Sequence, residues 1–158
     1  MKYELKIWPE PILSKKMPLV EKFDTYLRNI LDEAASIMEE KRGLGIAAPQ
    51  IGAEMAFFLI RLRNGELFEV VNPEILEETG SQYLLEGCLS FPGVSAMISR
   101  PATLYFRYQT REGEKRTAVI CDEEAQRFAH EFDHLNGKTI LDRVNRQERK
   151  KILKEMEK

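Results

Sequence analysis

The stretch His130-Glu131-Phe132-Asp133-His134 contains the only two histidines of the 158-residue chain. On a helix, residues four apart lie one turn apart on the same face, so both imidazoles can reach one metal ion. Glu131 lies beside them and can act as a general base toward a water molecule at that ion. Two surface histidines could have this spacing by chance, but the glutamate between them makes that explanation weak. The stretch therefore predicts a metal site on a helix.

A catalytic metal site usually has three protein ligands and one open position, so two histidines are not enough. The chain has two cysteines, Cys88 and Cys121, and a thiolate binds divalent transition ions strongly. Cys121 follows an apolar run and is more typical of a small buried side chain than of a ligand. Glu148 lies in a charged stretch and is a weak candidate. The spacing alone does not decide which cysteine binds the ion.

A third stretch, GLGIAAPQ at residues 43–50, is rich in small residues. Glycine and alanine allow a ligand to approach the backbone closely, and the amide of Gln50 can donate a hydrogen bond. Taken alone, the stretch is also typical of a turn after a helix. It lacks the Lys-Ser/Thr ending of a phosphate-binding loop, which makes a nucleotide site a poor interpretation.

Hydrophobic periodicity predicts three helices. The first runs from about Glu21 to Lys41, the second starts at Asp122 as N-cap and ends at Gly137, and the third covers about 147–158. Short apolar runs between residues 54 and 120 predict strands. Hairpin turns are expected at Asn64-Gly65 and Glu112-Gly113.

This order of elements predicts an α+β fold. Short antiparallel sheets should pack around a central helix that carries residues 130–134, with one helix N-terminal and one C-terminal to them. No linker divides the chain, so residues 1–158 are expected to form a single catalytic domain.

Composition excludes several classes of protein. With 24 Lys+Arg against 26 Asp+Glu, the net charge of -2 argues against a chain coated with nucleic acid. Two cysteines cannot form a disulfide scaffold. The longest apolar run, residues 55–60, is too short to span a membrane, and the first ten residues do not resemble a signal peptide. We therefore expect a cytoplasmic protein that binds neither DNA nor a membrane. We also expect a monomer.

Together, GLGIAAPQ at 43–50, EGCLS at 86–90 and HEFDH at 130–134 resemble the three motifs of peptide deformylases, in the same order and at similar separations. The similarity covers most of the chain, including FPG after the second motif and LNGKTILDRV after the third. Three motifs in register are far more specific than one. The short segment between the first two motifs and the C-terminal helix resemble the common bacterial form.

The resemblance implies a hydrolase that removes the N-formyl group from N-formylmethionyl peptides and releases formate. Cys88, His130 and His134 would hold the metal ion. In this family the physiological ion is generally Fe²⁺, and Zn²⁺, Ni²⁺ or Co²⁺ can replace it. By ligand type alone, two histidines and one cysteine would indicate zinc.

The resemblance also assigns the remaining roles. Glu131 would move the proton, while the Gln50 amide and the backbone N–H of Leu89 would bind the oxyanion. An extended substrate would bind by β-strand addition near the first two motifs. Its expected contacts are Gly43, Gly45, Ile46, Glu86 and Arg127.

Two residues of the second helix depart from the family pattern. Ala129 stands where the family usually has glutamine, and Arg127 stands where an apolar residue commonly faces the methionine pocket. Arg127 either points outward at the pocket rim or changes the pocket. Two further residues have open roles. Arg100 either binds a substrate carbonyl or is structural, and Asp133 either orients an imidazole or is solvated.

The C-terminal segment is basic, with seven Lys or Arg against three Glu from Arg143 to Lys158. Bacterial relatives use such a helix to dock on the ribosome, so the resemblance suggests the ribosome as a partner. The alternative is a solvated helix that only packs on the domain.

Two other functions share part of this pattern. A zinc endopeptidase would share HExxH, but it leaves the first two motifs unexplained. A structural metal module would need four ligands and no Glu131.

Overall fold

The computed structural model describes residues 3–158, which form three α-helices and seven β-strands. The helices are α1 (Thr25–Glu40), α2 (Asp122–Leu135) and α3 (Arg146–Met156). The strands are β1 (Gly45–Ala47), β2 (Phe57–Arg61), β3 (Leu67–Thr79), β4 (Gln82–Gly87), β5 (Ser95–Arg100), β6 (Thr103–Gln109) and β7 (Lys115–Cys121). Short 3₁₀ turns cover Pro11–Ser14, Ala48–Ile51 and Ile140–Asp142. The predicted α+β class is confirmed.

All strand pairs are antiparallel and belong to two sheets. Five strands form one sheet in the order β1-β2-β3-β6-β7, and β4 pairs with β5 in a second, two-stranded sheet. Both predicted hairpin turns are confirmed: Gly65 lies between β2 and β3, and Gly113 between β6 and β7, each with a positive φ. Glycine suits these turns because it adopts a positive φ without a steric penalty.

Helix α1 begins four residues later than the sequence predicts. The side chain of Asp24 caps it by accepting a hydrogen bond from the backbone N–H of Leu27 at 3.1 Å, so residues 21–23 remain outside the helix. The periodicity predicts an apolar stripe from Phe23 to Met38; it is confirmed from Leu27 onward, whereas Phe23 lies before the helix and is half-buried. The buried members of the stripe are Leu27, Ile30, Leu31, Ala34, Ile37 and Met38.

Helix α2 packs on the large sheet through aromatic side chains. The ring of Phe128 lies with its centroid 4.9 Å from that of Phe58 on β2 and 4.2 Å from that of Phe106 on β6. All three rings are buried, and contacts of this kind add stability beyond the area that they bury. The sheet thus fixes the helix on which residues 130–134 lie.

The start of α2 differs from the expectation. Asp122 is the first helical residue and Cys121 occupies the N-cap position, without a side-chain capping bond. Asp122 has a φ of 54°, and its carboxylate lies 3.8 Å from a guanidinium nitrogen of Arg63, so it interacts with a cation instead of capping the helix.

Strand β5 was not expected from the sequence. Along Ser95–Arg100 every second residue is buried, namely Ala96, Ile98 and Arg100. A buried arginine breaks the apolar-polar alternation by which a strand is recognised, so the pattern of this segment is hidden.

Helix α3 packs through Ile152, which is buried in a cluster with Phe91 and Ile98. The side chain of Asn145 caps the helix by accepting a hydrogen bond from the backbone N–H of Glu148 at 2.8 Å. Between residues 3 and 158, no helix combines the length and the apolar character that crossing a membrane requires.

Candidate metal centre

Three metal-binding side chains meet at one point of the structure. The ligand atoms of Cys88, His130 and His134 all lie within 4.8 Å of one another, and the two histidines are buried. Cys88 directly follows β4, while the histidines lie one turn apart on α2. The fold therefore brings together the cysteine and the histidine pair, which lie far apart in the sequence.

The other two candidate ligands lie elsewhere. Cys121 ends β7, and its sulfur accepts a hydrogen bond from Arg63 at 3.7 Å. Glu148 lies in the first turn of α3. Within residues 3–158, no second group of three His, Cys, Asp or Glu side chains has a geometry suited to a metal ion.

His130 is held by a buried carboxylate. Its Nδ1 lies 2.8 Å from Oε1 of Glu86, which leaves Nε2 free to face an ion. Both Glu86 oxygens also accept hydrogen bonds from Arg100, at 2.7 and 2.8 Å. Burial alone would raise the pKa of Glu86, but the hydrogen bonds from Arg100 and His130 outweigh it and lower the pKa to about 2. Glu86 is thus a fixed anion that orients the imidazole, as carboxylates do beside many metal ligands.

The chain of charges continues beyond Arg100. Its Nη1 donates to Asp133 at 2.7 Å, and Asp133 also accepts two hydrogen bonds from Arg143, at 2.7 and 2.9 Å. Arg100 and Asp133 are both buried. Arg100 therefore has a structural role, and Asp133 bonds to two arginines instead of orienting an imidazole or facing solvent. The sequence gives no sign that Arg143 belongs to this network.

Glu131 lies in a tight and poorly hydrated position. Its Oε1 is buried and has no hydrogen-bond partner within the described residues. A Cβ atom on Gly45 would lie 2.6 Å from its Oε2, so only glycine at this position leaves room for the carboxylate. Burial raises the pKa of Glu131 to about 7. A carboxyl group with this pKa can both accept and donate a proton near neutral pH.

His134 has no carboxylate partner comparable to Glu86. Its Nε2 lies 3.4 Å from the Cys88 sulfur, whereas its buried Nδ1 has no partner within the described residues. Burial, together with the charge of His130, lowers the pKa of His134 to about 3. The neutral imidazole is the form that binds a metal ion.

Gln50 is oriented by hydrogen bonds at both ends of its amide. Its Oε1 accepts from the backbone N–H of Ala47 at 2.9 Å, and its Nε2 donates to Ser90 at 3.1 Å and lies 3.7 Å from the Cys88 sulfur. Ser90 in turn donates to the carbonyl of Lys6 at 2.7 Å. Ser90 was not expected as a site residue, although it belongs to the EGCLS motif.

A cavity of about 640 Å³ opens beside these groups. Of the substrate contacts expected from the sequence, all but Ile46 border it; that residue is fully buried and does not line the cavity. Glu86 reaches the wall, but both of its oxygens are engaged as described. Gln50 and Leu89 also line the cavity, and Leu89 packs so closely on Gly43 that a Cβ there would lie 2.7 Å from it.

Arg127 forms part of the cavity wall and is half-buried. Its Nη1 donates a hydrogen bond to the backbone carbonyl of Arg61 at 2.7 Å. The guanidinium is thus anchored to the end of β2 at the cavity.

Comparison with known proteins yields one consistent result. Residues 2–150 match the profile of the polypeptide deformylase family. The peptide deformylase of Thermotoga petrophila is 39% identical over 144 residues, which span 90% of this chain and 87% of the relative. The peptide deformylase of Thermoanaerobacter pseudethanolicus is 38% identical, and the alignment covers 99% of both chains.

Solved structures give the same answer at the level of the fold. A peptide deformylase from Legionella pneumophila superposes with a TM-score of 0.94 at 29% identity, covering 99% of this chain and 94% of the other. The enzyme from Thermotoga maritima superposes with a TM-score of 0.88 at 36% identity, covering 92% and 99%. The similarity thus extends over nearly the whole of both chains.

Proposed function

Since this chain belongs to the peptide deformylase family, metal-dependent hydrolases that remove the formyl group from nascent peptides, we propose that Cys88, His130 and His134 bind its catalytic ion. The observation that carries the proposal is the convergence of one sulfur and two imidazoles within 4.8 Å beside a large cavity. A carboxyl group suited to proton transfer, that of Glu131, lies at the same cavity.

The donor set suits a catalytic ion better than a structural one. Three protein ligands leave a fourth position open, whereas a closed structural site uses four. The unpartnered Oε1 of Glu131 gives a water molecule at that position a hydrogen-bond acceptor. Imidazole and thiolate ligands bind both zinc and iron. From the family resemblance we propose Fe²⁺ as the physiological ion, with Zn²⁺, Ni²⁺ or Co²⁺ able to replace it.

When bound, the ion would polarise the formyl carbonyl and lower the pKa of water. Glu131 would accept the proton of the attacking water at Oε1. As the C–N bond breaks, the same carboxyl group would return that proton to the departing amine, and the oxygen of the water would leave in formate.

The oxyanion that forms during the attack needs hydrogen-bond donors. Gln50 is a suitable donor, because its Oε1 is fixed by Ala47 and its Nε2 is thereby aimed at the sulfur of Cys88. We assign the second donor to the backbone N–H of Leu89, the residue that follows this cysteine on the cavity wall.

The substrate would bind as an added strand. Among the described strands, β1 is at the edge of its sheet and pairs only with β2, and β4 pairs only with β5, so each has a free side for an extended peptide. Gly43 and Gly45 are the natural backbone contacts, since neither has a side chain to block approach. Glu86 is assigned to holding His130 instead of to binding substrate.

The assignment of the ligands is tested by replacing each cysteine with serine. We expect Cys88→Ser to lose the metal or nearly all release of formate from a formyl-Met peptide, because an alcohol is a poor substitute for a thiolate. Cys121→Ser is the matched control and should keep both. Metal content and formate release are measured on the same samples, and equal losses in both variants would refute the assignment.

The same assay separates the alternative functions. Cleavage of internal peptide bonds without release of formate would indicate an endopeptidase. Tight zinc binding without any hydrolysis would indicate a structural site.

We also propose that α3 docks this chain, as a monomer, on the ribosome in the cytoplasm. The helix buries Ile152 in the domain and leaves Arg146, Lys150, Lys151 and Lys154 exposed, so its outer face is cationic. A cationic surface on a chain of net charge -2 is suited to binding ribosomal RNA.

Docking is tested with a variant in which Lys150, Lys151 and Lys154 become glutamine. Truncation is unsuitable because it removes Ile152 and Arg143, which pack on the domain and bond to Asp133. The variant should lose co-sedimentation with ribosomes and retain hydrolysis of a short formyl-peptide. Unchanged co-sedimentation would leave α3 with a structural role only.

A further inference from the structure

The wall of the large cavity carries an excess of free positive charge. Three basic residues line it, Lys41, Arg42 and Arg127, against two acidic ones, Glu86 and Glu131. Both oxygens of Glu86 accept hydrogen bonds from a buried arginine, so this carboxylate is neutralised inside the protein. Glu131 is buried and is assigned to proton transfer. The charges left to meet a ligand are therefore the cations.

None of the three basic side chains forms an ion pair with another residue of the described part of the chain, 3–158. Two other arginines of the structure have acidic partners. Arg61 pairs with Glu39, and Arg111 bonds to both Asp32 and Glu69. The three basic residues of the cavity wall therefore keep their charges available to a ligand.

Arg127 is the most constrained of the three. One of its nitrogens donates to the carbonyl of Arg61, and a guanidinium has four further N–H donors in a rigid fork. It lies three residues before His130 on α2, hence one turn along the helix from the metal ligand. Its remaining donors are half-buried at the cavity and can bind a carboxylate.

Lys41 and Arg42 lie in the turn between α1 and β1. Backbone hydrogen bonds fix this turn, from Lys41 to Ile37 at 3.0 Å and from Arg42 to Glu39 at 3.1 Å. Both side chains are exposed and border the cavity just before β1, the edge strand to which a substrate would add.

Resting on the proposed function, we infer that Lys41, Arg42 and Arg127 form a carboxylate-binding subsite that favours formyl-peptides with Glu or Asp in the first two positions after the formylated residue. A carboxylate in this cavity is attracted by the three cations of its wall, whereas a lysine of the substrate is repelled. Part-exposed ion pairs are individually weak, so the preference should be about tenfold in kcat/KM between glutamate and lysine peptides.

The test uses the metal-loaded enzyme and three matched peptides, formyl-Met-Xaa-Ala with Xaa as Glu, Gln or Lys, and their formyl-Met-Ala-Xaa counterparts. Formate release should be fastest for Glu and slowest for Lys in at least one series. The difference should shrink as salt is raised from 0.05 to about 1 M, because ions screen exposed charges.

Variants then assign the effect to the cavity. Arg127→Met and Lys41→Gln should each lower the Glu-to-Lys ratio by about two- to fivefold, the size of one part-exposed ion pair. Lys22→Gln is the matched control; this exposed residue lies outside the cavity wall, so the same change in net charge should leave the ratio unaltered.

The outcomes separate the two proposals. Equal hydrolysis of the Glu and Lys peptides, or an equal change in the control variant, overturns the subsite and leaves the deformylase assignment intact. Absence of formate from all peptides overturns the proposed function. In that case calorimetric affinities of the same peptides decide the subsite, with equal affinities for Glu and Lys counting against it.

Discussion

Two buried carboxyl groups border the same cavity and differ in almost every property. Glu86 accepts hydrogen bonds from Arg100 and lies 2.8 Å from Nδ1 of His130, and its pKa is lowered to about 2 despite its burial. Glu131 has an unpartnered oxygen within the described residues, and burial raises its pKa to about 7. Burial is common to both, so the partners decide which group is a permanent anion and which can exchange a proton.

The division of roles follows from this contrast. A permanent anion is suited to orienting a metal-binding imidazole, because its charge does not change with pH near neutrality. A group that titrates near neutrality is suited to general acid-base chemistry. Removing either carboxyl group, or a partner that holds it, should therefore have a different effect.

Removing the proton carrier should have the largest effect. We expect Glu131→Gln to lower formate release by about 10²–10⁴-fold, the usual contribution of a positioned general base, while the metal content stays unchanged. Single-turnover kinetics on the metal-loaded variant provide the measurement. Normal turnover would show that another group moves the proton.

Removing the fixed anion, Glu86, should lower both the stability of the fold and the affinity for the metal ion. Glu86→Gln leaves Arg100 buried with only Asp133 as an acidic partner, and breaking a buried ion pair costs about 3–5 kcal/mol. Loss of the group that orients His130 should also weaken metal affinity by about 10–100-fold. Urea denaturation and competition with a chelator measure the two effects. Unchanged metal affinity would limit Glu86 to a structural role.

The two carboxyl groups should give stability opposite dependences on pH in the metal-free protein. The lowered pKa of Glu86 stabilises the fold above its unfolded value of about 4.5, and this contribution, on the order of 3 kcal/mol, is lost as pH falls from 4.5 to about 2. The raised pKa of Glu131 means that its contribution is lost as pH rises from 4.5 to about 7.

Denaturation of the metal-free protein at a series of pH values checks both slopes. Because the lowered pKa values of His134 and Asp133 add slopes of their own in these ranges, each contribution is taken as the difference between a variant and the wild type. Relative to the wild type, Glu131→Gln should gain stability as pH rises from 4.5 to about 7, and Glu86→Gln should lose less stability in acid. If the stability difference between Glu131→Gln and the wild type did not change with pH, the raised pKa would belong to another group.

Replacing Arg143 should have the smallest effect on stability, because it lies at the outer end of the charge network of Glu86, Arg100, Asp133 and Arg143. The Arg143 side chain is 40% exposed, and its replacement leaves Asp133 with one arginine. We expect Arg143→Met to destabilise the fold by about 1 kcal/mol, near the upper end for an exposed ion pair, with Arg143→Lys closer to wild type. Arg146→Met is the matched control on α3 and should change stability by less than the measurement error.

The sequence predicts those parts of the site that depend on local pattern. The i,i+4 histidines predict the helix that carries them, and the glycine turns predict the two hairpins, because each signal lies within a few residues. The choice between Cys88 and Cys121 could not be made from spacing, since it depends on which strand end faces α2. The resemblance to a family selected Cys88, and the structure groups it with the two histidines.

The charge network escaped prediction for a related reason. Three of its residues lie apart in the sequence, namely Arg100, Asp133 and Arg143. A single charged residue is ordinarily expected at the surface. Only packing shows that Arg100 and Asp133 are buried against one another. The burial of Arg100 also explains why β5 was not predicted, because an arginine at an inward position breaks the apolar-polar alternation of a strand.

The close approach of Gly45 to Glu131 makes this position informative in mutational scans. A methyl group at residue 45 would meet the carboxylate at 2.6 Å, and the chain there has no positive φ that an alanine would strain. Gly137 differs, because its φ is +71° and an added Cβ would meet the backbone carbonyl oxygen of Ser14 at 2.7 Å. In a library scored for both cellular abundance and growth, Gly45→Ala should therefore be abundant yet inactive, whereas Gly137→Ala should be depleted for lack of folded protein.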